Sequence, residues 1–338
     1  MNVTRLVPPP HALLGLGLAA FFLLSLGVSP VEAMQEQQEL GHGLDGREIG
    51  TGVVHGVVQW CSVFLVGLPA FVGLVWLPVG RRTDEERSLG GMFARWVWAL
   101  FGLLTVAGLI EISLYAVRAS GDPFGFELLG RALFDTREGD IWLARLVLGL
   151  LTALAVSWAA RIGRRPIYWL SAACFGGATL ITLSLQGHAA SEEGFLPLFV
   201  DWTHAAAASL WVGGLLGFPL LFFGLLRTKT AEERKMLLLR LVPRFSRVAT
   251  VAVAVLVVTG VYASLQYVPS LAAITSTYYG RALIMKLGMV VLLFAVGGIN
   301  LIDRGRGPFD RMVVVELILA AGIFVATGFL SSLAPTDV

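Results

Sequence analysis

The sequence predicts an all-α fold: a polytopic membrane helix bundle of about eight transmembrane helices, preceded by an N-terminal signal peptide or one additional helix. Composition and run length carry this reading. The 338 residues are 56% hydrophobic and only 14% charged, with a mean hydropathy of +0.78, which leaves too few polar side chains to coat a water-soluble globule. The apolar residues fall in runs of about 20 or more, long enough to cross roughly 30 Å of hydrocarbon at about 1.5 Å per residue. Such runs are helical because in lipid each backbone group must be satisfied within its own segment.

Taken in order, the spans are expected near 53–79, 93–118, 141–161, 167–187, 199–226, 245–268, 279–301 and 312–333. Basic residues follow every odd span. Arg81, Arg82, Arg87 and Arg95 follow the first; Arg161, Arg164 and Arg165 the third; seven Lys and Arg from Arg227 to Arg247 the fifth; and Arg304, Arg306 and Arg311 the seventh. These make 17 of the 25 basic residues, whereas the 186–201 turn has none, so the positive-inside rule puts the 17 in the cytoplasm and the C-terminus outside. Residues 1–33 read either as a secretory signal or as a retained span, 34–52 as a polar external lead-in, and 53–338 as the membrane domain. The stretch "RTKTAEERKMLLLRLVPRFSR" reads as a basic amphipathic helix on the inner surface. Cys61 and Cys174 lie inside apolar runs, so no disulfide framework is indicated.

Ionisable groups in lipid are costly and call for a partner or a function. By this topology His55, His188 and His204 share one outer layer, and Asp201 lies three residues before His204, on the same helix face. Imidazole and carboxylate together suit a borderline transition ion, with copper at the head of the affinity order. A carboxylate there either orients the imidazole or joins it as a ligand. The alternative is that each histidine only hydrogen-bonds backbone or headgroup at a helix end. Deeper in, Glu111 and Lys286 have equal depth and opposite sign, which predicts a buried ion pair. Arg145 is expected to snorkel outward, and Glu316 to find Arg304 or Arg311. Met285, Met289 and Cys61 offer sulfur suited to Cu(I), as weaker candidates whose simpler role is packing. The small residues after His204, including Gly213 and Gly217, allow close helix approach. There is no phosphate-binding glycine loop, no H-E-x-x-H and no nucleophile elbow, so neither catalysis nor nucleic-acid binding is indicated.

Several stretches together resemble the CopD copper-resistance family: "GDIWLARLVLGL" (139–150), "LSLQGHAAS" (183–191), "DWTHAAAASLWVGGL" (201–215), "RFSRVATVAVAVLVVTGVYASL" (244–265), "TYYGRALIMKLGMVVLLFAVGGIN" (277–300) and "ELILAAGIFVATGFLSSLAP" (316–335). The resemblance implies a multi-pass inner-membrane protein of copper uptake or resistance, often served by a periplasmic CopC-like carrier. It points to His188, Asp201 and His204 as metal-handling residues, with His55 at the position of a first-helix histidine common in the family. Some relatives carry a fused CopC-like domain where this chain has only 34–52, so supply by a separate carrier or by free copper is expected. Two other functions fit the same residues. One is a membrane cytochrome whose histidines hold haem b. The other is an assembly partner that moves no ion.

Overall fold

The structure, a computed structural model, describes residues 46–79, 84–162, 165–187, 194–267, 283–293 and 295, with helical fragments at 315–316, 318–320, 322–323 and 327. Residues 1–33, most of the lead-in, His188, and much of the last two expected spans lie outside the described residues.

Among the described residues seven helices run in order: α1 Gly46–Phe71, α2 Asp84–Ser120, α3 Phe126–Phe134, α4 Arg137–Ile162, α5 Pro166–Ser184, α6 Phe195–Gly224 and α7 Ala231–Tyr267. A shorter apolar helix, α8, spans Leu283–Leu293. Among the described residues six helices (α1, α2, α4, α5, α6 and α7) are long and apolar enough to cross a membrane, and the multi-pass all-α architecture is as expected.

The helix starts follow local chemistry. Pro166 opens α5 behind an extended Arg165, a position where its missing N–H costs nothing. Thr230 and Glu233 form a reciprocal cap on α7: the Thr230 hydroxyl accepts the Glu233 N–H at 3.3 Å, and the Glu233 carboxylate accepts the Thr230 N–H at 3.0 Å. The Thr136 hydroxyl accepts the Gly139 N–H at 3.1 Å at the start of α4.

Helix α1 is the hub, packed against α2, α5 and α6, while α4 lies on α2 and α5, and α7 on α6. Its closest neighbour is α6: a Cβ on Gly67 would stand 2.4 Å from the Gly213 Cα, and one on Gly217 would stand 2.5 Å from the Phe71 ring. Backbone contact of this kind is available only to glycine. Past Pro69, α1 widens into a π turn at Val72–Trp76, in which the Leu77 N–H reaches back to the Val72 carbonyl at 2.9 Å. There the Arg244 side chain donates to the Leu74 carbonyl at 2.6 Å, fastening α7 to the far end of α1.

Two expectations change, and one helix is new. The basic stretch after the fifth span is no separate surface helix: it is the start of the 37-residue α7, and its Leu241 and Val242 are buried in the core. Helix α1 begins at Gly46, inside the expected lead-in. The loop after the second span contains α3, which seats Ala132 against Ile112 and Ala116 of α2. Its pattern F-E-L-L-G-R-A-L-F carries the signal, in a segment too short to register as a span.

Candidate functional site

Two polar groups of side chains sit at the end of the bundle where α1, α4 and α6 begin and α2, α5 and α7 end. The first joins four helices. Glu111 of α2 shares its two oxygens between His55 Nδ1 of α1, at 2.5 Å, and Arg145 Nη1 of α4, at 3.3 Å. Arg145 also donates from Nε to the Thr182 hydroxyl at 2.9 Å, and from Nη2 to the Thr182 carbonyl at 3.1 Å and to the Gln186 side-chain oxygen. The Thr182 hydroxyl spends its own hydrogen on the Thr179 carbonyl at 2.6 Å, so towards Arg145 it can only accept. One turn before His55, Thr51 accepts from Arg118 at 3.0 Å, so α1 is tied to α2 at two levels.

Because the carboxylate of Glu111 is an acceptor, the proton of a neutral His55 ring lies on Nδ1, and its Nε2 keeps a lone pair. Side-chain exposure is 15% at His55, 13% at Glu111 and 1% at Arg145, so the charges compensate each other away from water.

The second group centres on His204. Its Nδ1 lies 2.8 Å from the Thr259 hydroxyl of α7, and that hydroxyl donates to the Val255 carbonyl at 2.7 Å. With its one hydrogen committed, Thr259 accepts from Nδ1–H, and Nε2 of His204 is again the nitrogen with a lone pair. Asp201 is exposed, and Lys286 of α8 interacts electrostatically with both Asp201 and His204.

Helices α1 and α6 run side by side with Gly67 at Gly213 and Phe71 at Gly217. Carried back along both helices, this register sets His55 level with Asp201 and puts His204 about 4.5 Å lower, level with Val58. His204 precedes Gly213 by roughly two and a half turns, which puts it on the face of α6 opposite α1. The contact of its ring with the Gly260 position on α7 agrees with that placement.

The single outer site expected from His55, His188, Asp201 and His204 is therefore divided where it is described. His55 and His204 lie about one turn apart in depth, on opposite sides of the α1–α6 contact. His188 lies outside the described residues. No group of three His, Cys, Asp or Glu that could hold a metal ion occurs among the described residues.

The expected Glu111–Lys286 pair is also replaced. Glu111 pairs with His55 and Arg145, and Lys286 interacts electrostatically with Asp201 and His204, because equal depth does not make two helices neighbours. Arg145 does not snorkel: α4 starts at Arg137, more than two turns before it, and its guanidinium is enclosed. Cys61 is fully buried in the apolar core around α1, while Met285 is 47% exposed on α8. Glu316 is buried, and its expected partners Arg304 and Arg311 lie outside the described residues. Sequence reasoning missed Thr259, Thr182 and Gln186 as partners.

Comparison with known proteins gives one consistent answer. A family model described as copper resistance protein D-like, N-terminal domain, matches residues 48–198, and one described as copper resistance protein D matches 239–330. The first contains the whole His55 group and the second contains Thr259 and Lys286, while Asp201 and His204 fall between them. The chain is 26% identical over 282 residues to copper transport protein CutJ of Bacillus subtilis (strain 168), a match covering 80% of this chain and 51% of that protein. It is 29% identical over 211 residues to copper resistance protein D of Pseudomonas syringae pv. tomato, covering 60% and 66%. It is 28% identical over 219 residues to inner membrane protein YebZ of Escherichia coli (strain K12), covering 61% and 71%. The chain thus spans about half the length of the first relative and about two thirds of the second. No solved structure matches. With one family model over each half, in chain order, this multi-pass membrane protein belongs to the copper resistance protein D family.

Proposed function

We propose that the chain is a non-catalytic copper-handling membrane protein that receives copper at its outer end and passes it inward, in copper import or resistance. The observation that carries this reading is the paired state of the two histidines. Each has Nδ1 committed to a partner on another helix, and each keeps Nε2 free to bind a metal. Imidazoles fixed in this way, about one turn apart in depth, suit successive nitrogen stations for an ion better than a single cage. His188, which the family resemblance pairs with Asp201 and His204, is the third imidazole we assign to the set, and Asp201 adds negative charge at the entrance. Copper is the cargo here, supplied free or by a separate CopC-like carrier. Relatives whose names state copper transport and copper resistance support the choice of ion.

The test is copper content and uptake of the purified protein in proteoliposomes, with a visible spectrum of the same sample. Wild type is expected to bind and take up copper without a Soret band. His55→Ala and His204→Ala should each weaken binding by at least about tenfold, more than loss of an outer hydrogen-bond partner does. A strong Soret band lost in either variant would transfer the site to haem b. Copper binding without uptake would make the chain an assembly partner.

Thr259→Val provides a finer check. It keeps the shape and removes the acceptor for His204 Nδ1–H, so copper affinity should drop roughly 10–100-fold. Folding stability should fall by about 1–3 kcal/mol, the cost of leaving the His204 Nδ1–H without its acceptor. Chelator competition and thermal unfolding of the same preparation measure the two effects.

A further inference from the structure

We propose that Arg145 is the positioning residue for His55, acting through Glu111 to hold the imidazole in one tautomer and one orientation. The proposal deepens the copper reading above and rests on it for its function, but its geometry stands independently.

Arg145 is among the largest fully buried side chains, at 1% exposure, and four of its five N–H groups are directed at acceptors. Three contacts go to the C-terminal end of α5. The Thr182 carbonyl lies in the last turn of that helix, where carbonyls lose their helical partners, and the Gln186 N–H turns to Leu183 instead. The guanidinium therefore caps α5 as a cation at the negative end of a helix. A second arginine of α4, Arg137, donates to the Leu185 carbonyl at 3.2 Å. Held rigidly there, the planar fork of Arg145 presents Nη1 to one oxygen of Glu111. That leaves the other oxygen of Glu111 facing His55 Nδ1.

The order of constraint thus runs from the end of α5 through Arg145 and Glu111 to the imidazole. A carboxylate without the fork would be free to rotate, and the ring would sample both tautomers. Lysine keeps the charge but has no fork to hold two acceptor sets at fixed angles.

The experiment uses the full chain in lipid nanodiscs with ¹⁵N-labelled histidine, first without copper. The His55 signal is assigned by its loss in His55→Asn. Wild type should show one ring, protonated at Nδ1 and bare at Nε2. Arg145→Gln should convert this to a mixture of tautomers, and Arg145→Lys should do the same to a smaller extent. If Arg145→Gln fails to fold, Arg145→Lys, which leaves no unpaired carboxylate, decides the matter. Copper affinity by chelator competition should fall roughly 10–100-fold alongside the change of tautomer. A His55 signal identical to wild type in folded variants would overturn the proposal. Tautomer loss in the variants, with no copper bound even by wild type, would confirm the positioning role and overturn the copper reading instead.

Discussion

Arg145→Met and Glu111→Leu are each expected to lower stability by about 3–5 kcal/mol, because each leaves the opposite charge buried without its partner. The double variant should recover a large part of that loss. Two apolar side chains in the same space need no charge compensation, and replacing a whole buried pair is often close to neutral. Recovery will be incomplete, for two reasons visible in the contacts. Without Arg145 the Thr182 carbonyl and the Gln186 side chain lose their donor, and without Glu111 the His55 Nδ1–H loses its acceptor. Each orphaned group costs about 1–3 kcal/mol unless water reaches it. The coupling energy from the four-way cycle should come out at about 2–3 kcal/mol, near the upper end for residues in contact. Reversible unfolding in mixed micelles measures it. Single variants as stable as wild type would mean that the pair is hydrated and that the guanidinium is not the capping group described.

This pair also shows what the sequence could and could not disclose. The long apolar runs and the small residues of α6 were read as local patterns, and the capping box at Thr230 and Glu233 and Pro166 at a helix start, which were not read, are equally local. Glu111 was visible as a buried charge for the same reason. Its partner was not, since hydropathy and loop charge assign a depth to each residue but leave open which helices are neighbours. On depth alone Lys286 matched Glu111. In the fold α2 lies against α1 and α4, so His55 and Arg145 take the carboxylate, and Lys286 is left to Asp201 and His204.

Thr259 and Thr182 were hidden by a different effect. A threonine in an apolar helix usually returns its hydroxyl hydrogen to a carbonyl of the preceding turn, and both do so here, at 2.7 and 2.6 Å. Only the lone pairs left over are used for His204 and Arg145, and the sequence carries no mark of that use. The division of the expected outer site has the same origin. The register levels His55 with Asp201 and sets His204 about one turn deeper, while helical phase, which turns His204 away from α1, matters only once Gly67 and Gly213 are known to touch.

That glycine contact should be among the least tolerant positions of the described helices. Gly67→Val is expected to cost about 3 kcal/mol or more, at or beyond the usual range for overpacking. A Cβ there would meet the Ser209 carbonyl oxygen at 2.3 Å and the Gly213 Cα at 2.4 Å, and both are backbone atoms with no rotamer to relieve them. Relief requires α1 and α6 to separate, which breaks the register that levels His55 with Asp201. Copper binding should therefore fall in Gly67→Ala even where the protein still folds. Gly102→Ala is the control: it lies exposed on α2 with nothing within 4 Å of the added methyl. There the gain in helix propensity should stabilise by up to about 1 kcal/mol. Gly213→Ala meets the same contact from the other side, with the Gly67 Cα at 2.3 Å. Once one alanine has parted the helices, the second enters space already opened, so Gly67→Ala/Gly213→Ala should cost clearly less than the sum of the singles. Strict additivity would show that the two glycines are felt by different neighbours, and the parallel register of α1 on α6 would then have to be redrawn.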